Sequence, residues 1–207
     1  MNFYYFMPFI LLFASNVLGS SIPEDKIVHL KFSKINQNTL SFDKGQMNIG
    51  VNQSASPIFL KVSKKLSSIQ VKGSVEIHTK IPKDPNWQDQ YFSLGIIYEG
   101  TYQPGYFAKM FLPEWVLKLH EMKNENTKGI GSIDFWGVFQ GGKIKDEKKS
   151  VSAIQITKKF GTTLKKDNSF QLDIKPSDSP VLALWFHADG DETGAKFKTT
   201  IHSLHLK

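Results

Sequence analysis

The densest chemistry in this 207-residue chain is the run Asp189-Gly190-Asp191-Glu192-Thr193-Gly194, three carboxylates within four positions and glycines that permit a tight turn. Hard cations take oxygen ligands, and a loop of this composition collects them. The alternating acids and distal Glu of an EF-hand are missing. A structural Ca²⁺ held by Asp189, Asp191 and Glu192 is therefore one reading, and such an ion would brace the loop instead of serving catalysis. An acidic turn of the same make-up also forms without metal. No other cofactor is implied.

A second constellation is aromatic. Residues 91–99, 133–140 and 181–188 are apolar on both parities of a strand. One face reads as core: Phe92, Leu94, Ile96 and Tyr98, then Ile133, Phe135 and Phe139, then Leu182, Leu184 and Phe186. The other carries the rings of Tyr91, Trp136 and Trp185 beside Glu99, Asp134 and His187. Strands apolar on both sides are commonly covered, so these rings either lie under the helix or a long loop, or line an open trough. In the second case flat rings stack on a sugar or similar amphipathic ligand, and the polar groups orient it. Trp87, Tyr102 and Tyr106, in loops rich in amide and carboxylate groups, form a further candidate surface, since such rings give rigid contact area at loop tips.

Several chemistries are excluded or weakened. There is no cysteine, hence no disulfide framework, thiol nucleophile or Cys-based zinc site. No His-Glu-x-x-His, Gly-x-Ser-x-Gly or phosphate-binding Gly-rich loop occurs. All 26 basic residues are lysine, and against 19 acids they set the net charge of +7. Pairs such as Lys64-Lys65 and Lys158-Lys159 suit an anionic polymer or guard sheet edges. Nucleic acid is disfavoured, because without arginine there is no bidentate reading of phosphate or base. Asn52-Gln53-Ser54 fits a glycosylation acceptor.

These groups need a scaffold, and the scaffold reads as strands. Ile69, Val71, Gly73, Val75, Ile77, Thr79 and Ile81 alternate with polar residues, the period of an antiparallel strand buried on one face. Residues 28–32 and 170–174 repeat the pattern, and 46–51, 58–62 and 151–157 read as further short strands. In the last segment Phe197, Thr199 and Ile201 share a parity that Leu204 and Leu206 break, which predicts a bulge near His202–Ser203. One helix is predicted from Leu112, Trp115, Val116, Leu119 and Met122, with Pro113 in its first turn. The pattern predicts a two-sheet antiparallel β-sandwich of jelly-roll type with one short helix, its first and last strands neighbours; a closed barrel is the alternative.

Residues 1–19 carry no charged side chain and include an apolar run. They read as a signal peptide cleaved near Gly19/Ser20, with an uncleaved anchor as the alternative. Residues 20–207 then form a single domain in an exported protein, periplasmic or extracellular, with no integral membrane span after cleavage. Together these features imply a non-catalytic module that binds a carbohydrate or other extracellular or envelope polymer through an aromatic-lined sheet face, with a carbohydrate or anionic envelope polymer as partner. A glycoside hydrolase or polysaccharide lyase of the same architecture, using Glu99, Asp134 or Asp89, is the second reading. A structural or adhesive interaction subunit is the third.

Overall fold

The computed structural model describes residues 22–82, 89–123, 128–141 and 145–207. The N-terminal segment read as a signal, and Trp87, lie outside the described residues. Twelve strands are formed: β1 (Ile27–His29), β2 (Thr39–Asp43), β3 (Gln46–Asn52), β4 (Ile58–Lys64), β5 (Ile69–Thr79), β6 (Gln90–Tyr102), β7 (Ile130–Phe139), β8 (Glu147–Val151), β9 (Ile154–Thr163), β10 (Ser169–Ile174), β11 (Val181–Asp189) and β12 (Lys196–Leu206). Two short helices, α1 (Tyr106–Lys109) and α2 (Glu114–Glu121), fall between β6 and β7.

The strands make two stacked sheets and no closed barrel. The larger runs β1-β4-β11-β6-β7-β9-β8 and the smaller β10-β5-β12-β3-β2. The alternation along β5 does what its period requires, burying Ile69, Val71, Gly73 and Val75 and exposing Lys72 and Glu76. The bulge expected in the final strand is present as a register shift between Ile201 and Ser203. Lys44 (φ 48°) and Gly45 (φ 77°) close the two-residue turn from β2 to β3, both in the left-handed region that suits a hairpin's twist.

Four expectations are corrected. The segment 151–157 is not one strand: Ser152, at φ 55°, turns the chain so that β8 ends at Val151 and β9 begins at Ile154. The larger sheet is not wholly antiparallel, because β7 and β9 pair in parallel across the β8 excursion. The first and last strands are not neighbours: β1 pairs with β4 in one sheet, whereas β12 lies between β3 and β5 in the other. One helix becomes two, since the one-turn α1 has no apolar stripe to announce it and presents Tyr106 and Phe107 to solvent.

Two apolar cores result. The first fills the space between the sheets, around Met47, Ile49, Phe92, Leu94, Phe186 and Phe197. The second lies on the outer face of the larger sheet, where Phe59, Ile97, Ile133, Phe135, Leu182 and Trp185 meet Trp115, Val116, Leu119 and Met122 of α2. The helical stripe predicted at 112–122 is therefore the roof of the two-faced strands. Among the described residues no helix is long and apolar enough to cross a membrane.

Candidate functional site

The parity of the central strands decides what shares a face. In β7 it is Ile133 and Phe135 that join Trp185 on the outer face, while Trp136 packs toward the inter-sheet core. Trp136 and Asp134 sit opposite Leu94 and Ile96, both inter-sheet residues. Asp134 is held by Lys159 at 2.7 Å, and the same ammonium lies 5.0 Å from the centre of the Trp136 ring. Tyr91 is also between the sheets, 2% exposed and edge-on to Phe197 at 5.1 Å. Its hydroxyl donates to Gln140 Oε1 and accepts from the Ile81 N–H. Leu182 moves to the outer face because the register slips between Val181 and Ala183. The trough of Tyr91, Trp136 and Trp185 is thus not formed: Trp185 and His187 stand together on the outer face, and Tyr91, Trp136 and Asp134 lie on the other side of the sheet. Glu99 is half-buried toward the far end of β6, beyond a register shift after Ile97. Of the loop rings, Tyr102 packs on the outer core beside His120, and Tyr106 is 81% exposed.

What the fold builds instead is a cavity of about 380 Å³ on the outer face, at the open end of α2. Trp115, Phe135, Trp185, Val151 and Ile156 supply its apolar wall, and Gln90, Ser93, Lys149, Lys158, His187, Asp189 and Glu192 its polar lining. Trp185 is the hub of the wall, its ring 4.9 Å from Phe59, 5.1 Å from Phe135 and 5.3 Å from Trp115. Gly95 makes room for it, since a Cβ there would sit 2.7 Å from the Phe135 ring and 3.0 Å from Trp185 Cβ. Although only 7% of Trp185 is exposed, its Nε1–H has no hydrogen-bond partner among the described residues. The Gln90 Oε1 is likewise buried and unpartnered.

At the polar end, the His187 Nε2 lies 3.4 Å from Asp189 Oδ2. Burial pushes the imidazole down to about 4. Burial, with the Asp191 and Asp89 carboxyls adding to it, raises Asp189 to about 9. Near neutral pH this contact therefore joins two uncharged groups, despite having the spacing of an ion pair. Asp89, from the chain just before β6, accepts hydrogen bonds from the N–H groups of Glu192 at 3.3 Å and Thr193 at 2.8 Å, and from the Thr193 hydroxyl. Asp89, Asp189 and Asp191 each bring an oxygen within 4.8 Å of the others. The sequence grouped Glu192 with Asp189 and Asp191; in the fold Asp89 takes that place and Glu192 lines the cavity. Only the β6–β11 register, which sets Gln90 opposite Asp189, reveals this.

The half-buried histidines predict how stability follows pH. Burial lowers His29, whose Nε2 lies 2.8 Å from Ser56 Oγ, and lowers His120 with help from Lys123 and Lys109. A histidine lowered in the fold takes its proton in the unfolded chain first, so the stability it confers is complete above about pH 6.5 and lost as pH falls toward its folded value. His187 acts in the same sense, and Asp189, raised in the fold, acts oppositely between about pH 4 and 9. Between pH 7 and pH 5 the Asp189 contribution exceeds that of His187, so the His29 contribution is isolated by substitution. In chelator, the change in urea midpoint from pH 7 to pH 5 is expected to be less unfavourable in His29→Gln than in wild type.

No protein-family model matches the chain, and no curated protein matches it. Among solved structures it is similar to the xyloglucanase domain of NopAA, a type three effector from Sinorhizobium fredii, in complex with cellobiose, at 10% identity and a TM-score of 0.49 over 91% of this chain and 98% of that one. At that distance the likeness bears on neither activity nor site.

Proposed function

We propose that this β-sandwich is an exported, non-catalytic module that binds a carbohydrate unit in the cavity beside Trp185. The observation that carries the reading is the buried, unpartnered Trp185 Nε1–H at an otherwise apolar wall. Leaving a buried donor unmet costs about 1–3 kcal/mol, which a ligand hydroxyl recovers. A sugar suits the rest of the lining: its C–H face packs on Trp115, Phe135 and Trp185, and its hydroxyls reach Ser93, His187 and Glu192. The volume of about 380 Å³ accommodates one or two rings. Lys149 and Lys158 on the same lining favour a sugar bearing an anionic group, the chemistry of envelope polymers.

Binding without turnover is favoured by the carboxylates. Asp89 is occupied by hydrogen bonds from the Glu192 and Thr193 N–H groups and the Thr193 hydroxyl. Asp134 is engaged by Lys159 on the opposite side of the sheet. Export rests on the charge-free apolar character of residues 1–19.

Calorimetry against neutral and uronic oligosaccharides tests the proposal. Wild type is expected to bind, and Trp185→Phe, which keeps a ring but removes the N–H, to bind roughly tenfold more weakly. Equal affinity in both proteins overturns the site, and release of reducing ends overturns the non-catalytic part.

A further inference from the structure

We propose that a calcium ion binds where Asp89, Asp189, Asp191 and the side-chain carbonyl of Gln90 converge, at the junction of β6, β11 and the turn that follows β11. The argument is independent of what fills the neighbouring cavity. Three carboxylates from separate chain positions each place an oxygen within 4.8 Å of the others. Oxygens bound to one Ca²⁺ at 2.3–2.6 Å are at most about 4.6–5.2 Å apart, so the three lie within the span of a single coordination sphere.

The second observation concerns Gln90. It is the cross-strand partner of Asp189, and directly opposed residues of a ladder project to the same face with their Cβ atoms about 4.5–5.5 Å apart. Both line the same cavity. Gln90 is only 4% exposed, yet its Oε1 accepts no hydrogen bond among the described residues. A buried carbonyl oxygen left without a donor is uncommon in folded proteins, and a bound ion is one of its recognised explanations. Here the residue that carries it faces Asp189 across the ladder and follows Asp89 along the chain. Four oxygen donors and no thiol describe a site for a hard cation, and Ca²⁺ tolerates such irregular geometry better than Mg²⁺, with water completing its shell of six to eight ligands.

The test is melting and calorimetric titration of the intact protein, stripped with chelator, without sugar, against CaCl₂. At a calcium concentration about 100-fold above the dissociation constant, the melting temperature is expected to rise by roughly 5–10 °C. Asp191→Asn is expected to lose that rise, and Gln90→Met to weaken calcium binding several-fold. In chelator Asp191→Asn should melt no lower than wild type, since it relieves the crowding of three carboxyls; lost binding is then not misfolding. A wild-type melting temperature indifferent to calcium overturns the site. So does a shift of equal size in Asp191→Asn, or a larger shift with Zn²⁺ than with Ca²⁺.

Discussion

Trp185→Ala is expected to lower the free energy of unfolding by roughly 3–5 kcal/mol and to abolish ligand binding with it. The size of the effect follows from position. Trp185 leaves the larger sheet directly opposite Gly95 and contacts Phe59, Trp115 and Phe135, so one side chain joins β4, β6, β7 and α2. Truncating it forfeits the burial of the indole and leaves a void that Phe59 and Phe135 fill only in part. Trp185→Phe makes the contrast. It also loses volume but removes a buried donor that has no partner, and two opposing effects of about 1–3 kcal/mol leave the ligand-free protein within about 1 kcal/mol of wild type. Urea midpoints of the three proteins check this; a Trp185→Ala cost below about 1 kcal/mol would show that the outer core is not cooperative with the sandwich.

The contrast between Trp185 and Trp136 shows how far the sequence alone could be read. Period-two alternation in β5 and β10, the bulge in β12 and the stripe of α2 all depend on local spacing, and local spacing is visible in one dimension. The central strands β6, β7 and β11 are apolar on both sides, so parity carries no contrast there, and a single register slip reverses a face. The slip between Val181 and Ala183 did so for Leu182, and β7 lies with Phe135, not Trp136, beside Trp185. That Trp185 and His187 share a face was legible because they sit at the same parity of one short strand. The meeting of Asp89 and Gln90 with Asp189 was not legible, since it depends on strand pairing across about a hundred positions of chain.

The roof is the other place where one substitution should have a large effect. Leu119→Asp is expected to release α2 from the sheet and leave the inter-sheet core folded. With eight residues, α2 is too short to persist alone, because isolated helices under about 12–15 residues are marginal in water. What holds it is the burial of Trp115, Val116, Leu119 and Met122, each contributing on the order of 1.5–3 kcal/mol before the entropy of ordering the segment is subtracted. A carboxylate at position 119, fully buried in the wild type, cannot stay ionised among these side chains without a partner. Undocking costs less than burying the charge, and so undocking wins. Trp115 then enters water and Trp185 loses one of its three ring neighbours. The expected readouts are red-shifted tryptophan emission, binding of a hydrophobic dye and loss of sugar affinity, with the far-ultraviolet signature of the strands retained. Loss of that strand signature as well would mean that the outer core is required for the sandwich itself.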